Sequence, residues 1–254
     1  PPPDPAQGDN SKGGLSDLII YSLPMSKAIE GRNPQFVALL ESAAHLQRLV
    51  PDAVMVGGAA AILYADHRES TDHDHVVSDL GDRFEMVLEA IEQDEGWATN
   101  RVKAGKVILG NLDGIEAGVR QMIRKAPLEV TKVTLPSGSV VTVPTVEETI
   151  RIKGFLVVRR NQTRDYLDLA ALCDLLGTDR AAAVLAAVDD FYADQHESPD
   201  GVASQLARQL SDPQPADRSV IEQLGSYRRL RRRWSDWSAV TEILGEVATR
   251  MVKP

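Results

Sequence analysis

The stretch from Val54 to Val77 narrows the possible folds of this chain more than any other. It leads from an apolar, strand-like segment into Gly57-Gly58, through an alanine-rich piece, to Arg68-Glu69-Ser70-Thr71-Asp72-His73-Asp74. A glycine pair closing a buried strand lets the next helix begin hard against the backbone, and the free N–H groups of its first turn can hold phosphate. Asp72 and Asp74 stand two residues apart, so on an extended strand their carboxylates share one face and can share a divalent metal. Either element alone is commonplace. The order strand, Gly-Gly, helix, Arg-x-Ser-x-Asp-x-Asp is what carries information.

Around this stretch the pattern is that of an α/β core followed by helices. Residues 1–14, rich in Pro, Gly and Asp, read as a disordered tail. Asn33-Pro34 opens a helix as cap and first turn, continued by Phe36, Leu39, Leu40, Ala43 and Leu46. Ala53 to Val56 reads as a strand, Ala59 to Ala65 as a helix, Thr71 to Val77 as the acid-bearing strand, and about 82–93 as a helix. Strands follow at Val107 to Leu109, Ile115 to Met122, Leu128 to Leu135 and Val140 to Val143, with turns at Asn111-Leu112-Asp113-Gly114 and Ser137-Gly138. From Thr145 the chain reads as helix almost throughout. Thr145-Val146-Glu147-Glu148 has the form of a capping box, Gly177 closes a helix, and Thr178 reads as the next cap. Later helices are expected at about 179–194, 200–210, 218–233 and 236–251. The expected organisation is an α/β core with a mixed sheet over 15–144 and an all-helical C-terminal domain over 145–254.

The net charge of −9 is uneven: residues 151–254 hold 15 basic and 15 acidic side chains, so the whole excess lies in the first 150. An acidic core suits metal ions and argues against a general DNA binder, whose affinity rests on neutralising phosphates. Cys173 is the single cysteine, which excludes an intramolecular disulfide and a cysteine-built zinc site. No apolar run approaches the roughly 20 residues that span a bilayer. The first residues lack the blocks of a signal peptide. A cytoplasmic location without a membrane partner is expected.

A phosphate cradle followed within one helix by a metal-binding acid pair is a plan for nucleotidyl transfer, in which metal neutralises charge at the phosphorus and an activated oxygen displaces the leaving group in line. Glu116, in Gly114-Ile115-Glu116-Ala117-Gly118, is the candidate third carboxylate, with an outward-facing strand acid as the alternative. Lys153 and Arg160 lie seven apart on one helix face and can offer two cations to a polyphosphate. Asp165 and Asp168 also share a face, where pairing with Arg164 is the plain alternative. His67, His73 and His75 imitate a transition-metal cluster, but strand alternation turns His73 and His75 away from Asp72 and Asp74.

These residues resemble the nucleotidyltransferase superfamily motif, and the block from Lys153 to Leu169, with Arg164-Asp165-x-x-Asp168, is similar to that of AbiEii-type toxin nucleotidyltransferases and their MenT-like branch. The resemblance covers roughly residues 53–175. It implies that Gly57, Gly58 and Ser70, with Arg68 and Arg160, contact the nucleotide. It further implies that Asp72 and Asp74 bind Mg²⁺ or Mn²⁺, that Lys153 holds phosphate, and that Asp165 or Asp168 completes the site. An NTP donor, a tRNA 3′ end as acceptor and a cognate antitoxin of a type IV pair are implied in the same way. His73 and His75 depart from the apolar residues the family prefers. A small-molecule or protein hydroxyl is the alternative acceptor, and a non-catalytic binding module that kept the fold is the alternative role. Arg228, Arg229, Arg231, Arg232 and Arg233, flanked by Tyr227, Trp234 and Trp237, form either an RNA grip or a solvated helix face.

Overall fold

A computed structural model of the chain describes residues 29, 31–195, 200–226 and 230–252. The expected tail, together with Arg228 and Arg229, lies outside the described residues. Helix α1 (Pro34–Leu49) begins as expected, with Asn33 Oδ1 accepting the Gln35 N–H at 3.0 Å. Strand β1 (Val54–Val56) leads directly into α2 (Gly57–Ala65), and β2 (Asp72–Val77) follows. After α3 (Phe84–Glu92) come β3 (Trp97–Lys103), β4 (Val107–Leu112) and β5 (Ile115–Gln121). The five strands form one sheet in the order β1-β2-β5-β4-β3. Only the β2–β5 pair is parallel, so the sheet is mixed as expected. A separate ribbon pairs β6 (Val130–Thr134) with β7 (Val140–Pro144).

Strand alternation decides which residues enter the core. His73, His75 and Val77 on β2, with Ala117 and Val119 on β5, face α1 and α3 and are buried among Leu46, Val50, Phe84, Val87 and Ile91. Asp72, Asp74, Glu116 and Arg120 therefore share the opposite face. The two histidines meet edge to face at 5.2 Å, His73 Nε2 lies 3.0 Å from Ser42 Oγ, and neither ring nitrogen of His75 has a hydrogen-bond partner. Burial pushes the His73 pKa down to about 4 and that of His75 well below its ordinary value. Both rings are thus neutral core side chains. No metal cluster forms with His67: among the described residues no group of three or more His, Cys, Asp or Glu is placed to hold an ion.

Helix α4 (Val146–Arg160) starts at Thr145, whose Oγ1 accepts the Glu148 N–H at 3.1 Å. The expected capping box is only half made. The Glu148 carboxylate is buried between Arg124 Nη2 at 2.8 Å and Arg151 Nη1 at 2.6 Å, and the Thr145 N–H goes to the Glu129 carbonyl instead. Next come α5 (Thr163–Leu176), α6 (Thr178–Ala186), α7 (Asp189–Tyr192), α8 (Gly201–Ser211), α9 (Ser219–Glu222) and α10 (Trp237–Met251). Their apolar faces enclose a core around Tyr166, Leu169, Leu172, Leu185, Leu206, Trp234 and Leu244. Ala61 of α2 joins this core, tying the sheet side to the helices.

Several expectations are corrected. Gly177, not Thr178, occupies the cap position before α6. The helix expected over 179–194 breaks after Ala186, and where one was expected over 218–233 the described residues form α9 and two 3₁₀ turns, Leu224–Ser226 and Arg232–Ser235. Of the arginine run, the described Arg231, Arg232 and Arg233 lie at and within the second of these 3₁₀ turns and not on an α-helix. Strand β3 was not expected, because only Trp97 is buried along it and an edge strand open to water shows no apolar alternation.

Candidate active site

Where β1 ends, Gly57 adopts φ +76°, a left-handed conformation that side chains resist, and this turns the chain straight into α2. Gly58 follows for a different reason. A Cβ there would lie 2.7 Å from Arg68 Nη2, so the missing side chain lets the Arg68 guanidinium cross the start of α2. Arg68 reaches Asp168 on α5 through two bonds, Nε to Oδ1 at 2.7 Å and Nη2 to Oδ2 at 3.0 Å.

Asp168 is the centre of a buried charge network. Lys153 Nζ forms an ion pair with its Oδ2 at 2.7 Å, and His67 Nε2 lies 2.7 Å from its Oδ1. Since an ionised carboxylate only accepts, His67 carries its proton on Nε2. Burial by itself would raise the Asp168 pKa, yet the charges of Arg68 and Lys153 and the His67 hydrogen bond hold it well below the usual carboxylate range. Burial also lowers His67, with Asp168 opposing. Lys153 makes a second bond, to Asp165 Oδ1 at 3.2 Å, while the fully buried Asp165 Oδ2 has no hydrogen-bond partner. The surface pairing of Asp165 and Asp168 with Arg164 is not what forms. Both carboxylates are fully buried and pair with Lys153.

An open cleft lies beside this network. The sheet supplies Asp72, Asp74 and Arg120, the α2 turn Gly57 and Gly58, and the loop before β2 Arg68 and Ser70. Helices α4 and α5 supply Lys153, Arg160, Arg164 and Asp165. Ser70 Oγ donates toward Asp72 Oδ1 at 3.3 Å, and Arg120 Nε donates to Asp74 Oδ1 at 3.1 Å. The apolar lining of the cleft includes Met122, Leu128, Ile152 and Leu156, with Tyr192 from α7.

The residues singled out in the sequence are distributed unevenly about this cleft. Gly57, Gly58, Arg68, Ser70, Asp72, Asp74, Lys153, Arg160 and Asp165 line it, whereas Asp168 lies behind Lys153. Glu116 is in register with Asp72 on the parallel neighbour strand but is exposed and outside the lining. Arg231 pairs with Asp66 and donates its backbone N–H to His67 O at 2.9 Å, and Arg233 pairs with Asp174 at 2.8 Å. Arg232 is exposed, and Trp234 is buried in the helical core. Sequence reasoning missed Arg120 and Arg164. Arg120 was within reach of it, since strand parity places residues 116, 118 and 120 on the face of Asp74.

A divalent cation suits the Asp72–Asp74 pair. Both carboxylates are part-exposed on the cleft face, and a Cβ at Gly118 would come 2.8 Å from Asp74 Oδ1, so the glycine keeps that approach open. Magnesium is held by one or two carboxylates when water and substrate phosphate complete its shell, so two acids suffice.

Comparison with solved structures shows the fold. A chain from H. pylori assigned as a nucleotidyltransferase superposes with a TM-score of 0.50 at 16% identity, covering 85% of this chain and 92% of that one. The mixed sheet and helical C-terminal region are those of the nucleotidyltransferase fold. No protein-family model matches the chain. Among curated proteins it is 38% identical over 130 residues to the mycolic acid-containing lipids exporter MmpL11 of Mycolicibacterium smegmatis, which covers 51% of this chain and 13% of that protein. It is 33% identical over 231 residues to the heme uptake protein MmpL11 of Mycobacterium tuberculosis, covering 81% of this chain and 22% of that protein. The chain therefore spans at most about a fifth of the curated relatives it matches. Among the described residues no helix is long and apolar enough to cross a membrane.

Proposed function

We propose that this chain is a metal-dependent nucleotidyltransferase that moves a nucleotide from an NTP to a hydroxyl acceptor and releases pyrophosphate. The observation that carries the reading is the convergence on one cleft of the Gly57-Gly58 turn, Ser70, Asp72 and Asp74 with Lys153 and Asp165 from the helices. Asp72 and Asp74 would hold Mg²⁺ or Mn²⁺, which supplies charge neutralisation at the triphosphate. The first turn of α2 and Ser70 offer N–H and O–H donors to phosphate oxygens. Lys153 is held in place by Asp165 and Asp168 and presents fixed positive charge to the charge that develops during displacement.

The acceptor oxygen forms its bond to the α-phosphorus as the bond to pyrophosphate breaks, and its proton passes to a carboxylate. The unpartnered Oδ2 of Asp165, beside the cleft, favours Asp165 over Asp168 for that role, since Asp168 is already engaged by His67, Arg68 and Lys153. The likeness of the Lys153–Leu169 block to AbiEii-type and MenT-like enzymes supports a tRNA 3′ end as acceptor and a toxin role opposed by an antitoxin. A small-molecule or protein hydroxyl is the alternative within the same chemistry.

The similarity to a segment of MmpL11 transport proteins favours a second reading, a nucleotide-binding module without transfer activity, working as part of a longer protein. Incubation with each labelled NTP, Mg²⁺ and total bacterial RNA or cell extract separates the two. Labelled RNA, metabolite or protein identifies donor and acceptor together. NTP binding with no labelled product under any of these conditions would sink the transferase reading and leave the binding module.

A further inference from the structure

We propose that Arg160 and Arg164 form a phosphate clamp at the rim of the cleft, a site that rests on the proposed nucleotide reading for its biological use but not for its chemistry. Four of the six cations lining the cleft have carboxylate partners: Arg68 has Asp168, Arg120 has Asp74, Arg124 has Glu148, and Lys153 has Asp165 and Asp168. Arg160 and Arg164 are exposed, and among the described residues neither has a carboxylate or hydrogen-bond partner for its guanidinium.

Helix stability accounts for only one of them. Arg160 ends α4, where a cation complements the negative end of the helix dipole. Arg164 sits in the first turn of α5, where the dipole disfavours positive charge. An unpaired arginine at that position, in a chain of net charge −9, has no structural reason to face a cleft.

The turn between the two arginines is braced as a binding element would be. Asn161 takes a left-handed φ of 50°. Its Nδ2 donates to Gln214 O at 2.9 Å, its carbonyl accepts the Ala216 N–H at 2.7 Å, and its Oδ1 accepts from Tyr166 Oη at 2.6 Å. Asp217 Oδ1 accepts from Thr163 N at 2.7 Å and from Thr163 Oγ1 at 2.8 Å. A distant segment thus locks the backbone between the two arginines, which lowers the ordering cost of binding. Planar guanidinium forks match the oxygens of phosphate, each able to donate two parallel bonds. The phosphate comes either from the nucleotide's polyphosphate or from the backbone of an acceptor strand.

Direct binding tests the clamp without requiring turnover. The probes are inorganic tripolyphosphate and an NTP, each titrated in EDTA, and a single-stranded RNA oligonucleotide titrated over a salt series. The Arg160→Gln/Arg164→Gln double variant is compared with wild type and with Arg160→Lys/Arg164→Lys, and thermal unfolding confirms that all are folded. Loss of roughly tenfold in tripolyphosphate and NTP affinity, partly restored by lysine, assigns the clamp to the nucleotide. Unchanged affinity for those two, with weaker RNA binding and a salt slope smaller by roughly 1.4, assigns it to the acceptor backbone. Unchanged binding of all three probes, or a wild type that binds none, overturns the clamp. A wild type that binds NTP through these arginines yet labels no acceptor retains the clamp and rejects the transferase reading.

Discussion

Replacing Asp168 with alanine removes the one anion shared by Lys153, Arg68 and His67, all of them buried. Lys153 keeps Asp165, but Arg68 loses both of its charge-assisted bonds to this carboxylate, while its donation to the Glu69 carbonyl at 3.0 Å remains. Breaking a buried ion pair on one side costs about 3–5 kcal/mol, because the remaining charge stays desolvated. In a chain of this size each kcal/mol shifts Tm by about 2–4 °C. The expected fall is therefore roughly 6–20 °C, read by thermal unfolding at neutral pH. NTP binding should fall as well, since Arg68 and Lys153 both line the cleft. A variant melting within about 2 °C of wild type would refute the reasoning, and Asp168 would then be a peripheral acid rather than the centre of a network.

Asp72→Ala and Asp74→Ala should each abolish nucleotide transfer while leaving Tm nearly unchanged, because both carboxylates are part-exposed on the cleft face; wild-type incorporation of labelled nucleotide in either would reject the site. Gly58→Ala should weaken both stability and NTP binding, since its Cβ would stand 2.7 Å from Arg68 Nη2, and an unchanged melting curve would show that Arg68 moves aside freely. Stability should fall as pH drops from about 6.5 toward 4. The unfolded chain takes up histidine protons below about 6.5, while burial holds His73 neutral down to about 4 and lowers His75 well below its ordinary value. Asp168, depressed well below its ordinary value, adds a further loss below about 4. His75→Leu should flatten the first part of that profile without lowering Tm at pH 7, because the imidazole has no hydrogen-bond partner to lose; an unaltered pH profile would place the acid sensitivity elsewhere.

Local chemistry made much of this protein legible in its sequence. The Asn33 cap, the strand parity that puts Asp72 and Asp74 on one face and His73 and His75 on the other, and the Gly57 turn each follow from a few neighbouring residues. Strand β3 escaped because an edge strand in water is not patterned by burial. The pairings of Arg231 with Asp66 and of Arg233 with Asp174 were not legible, because those partners lie far along the chain.

The same division holds at the site. Sequence alone determined the Gly57-Gly58 turn, the acid pair and the helix bearing Lys153, since these depend on spacing along one element. Only the tertiary structure decided that Asp168 is consumed by Arg68, Lys153 and His67 while Asp165 keeps an unpartnered oxygen beside the cleft. Two acids three residues apart on one helix look alike in sequence. What separates them is which cations a distant loop and a neighbouring helix bring within about 3 Å, and how little water is left to compete.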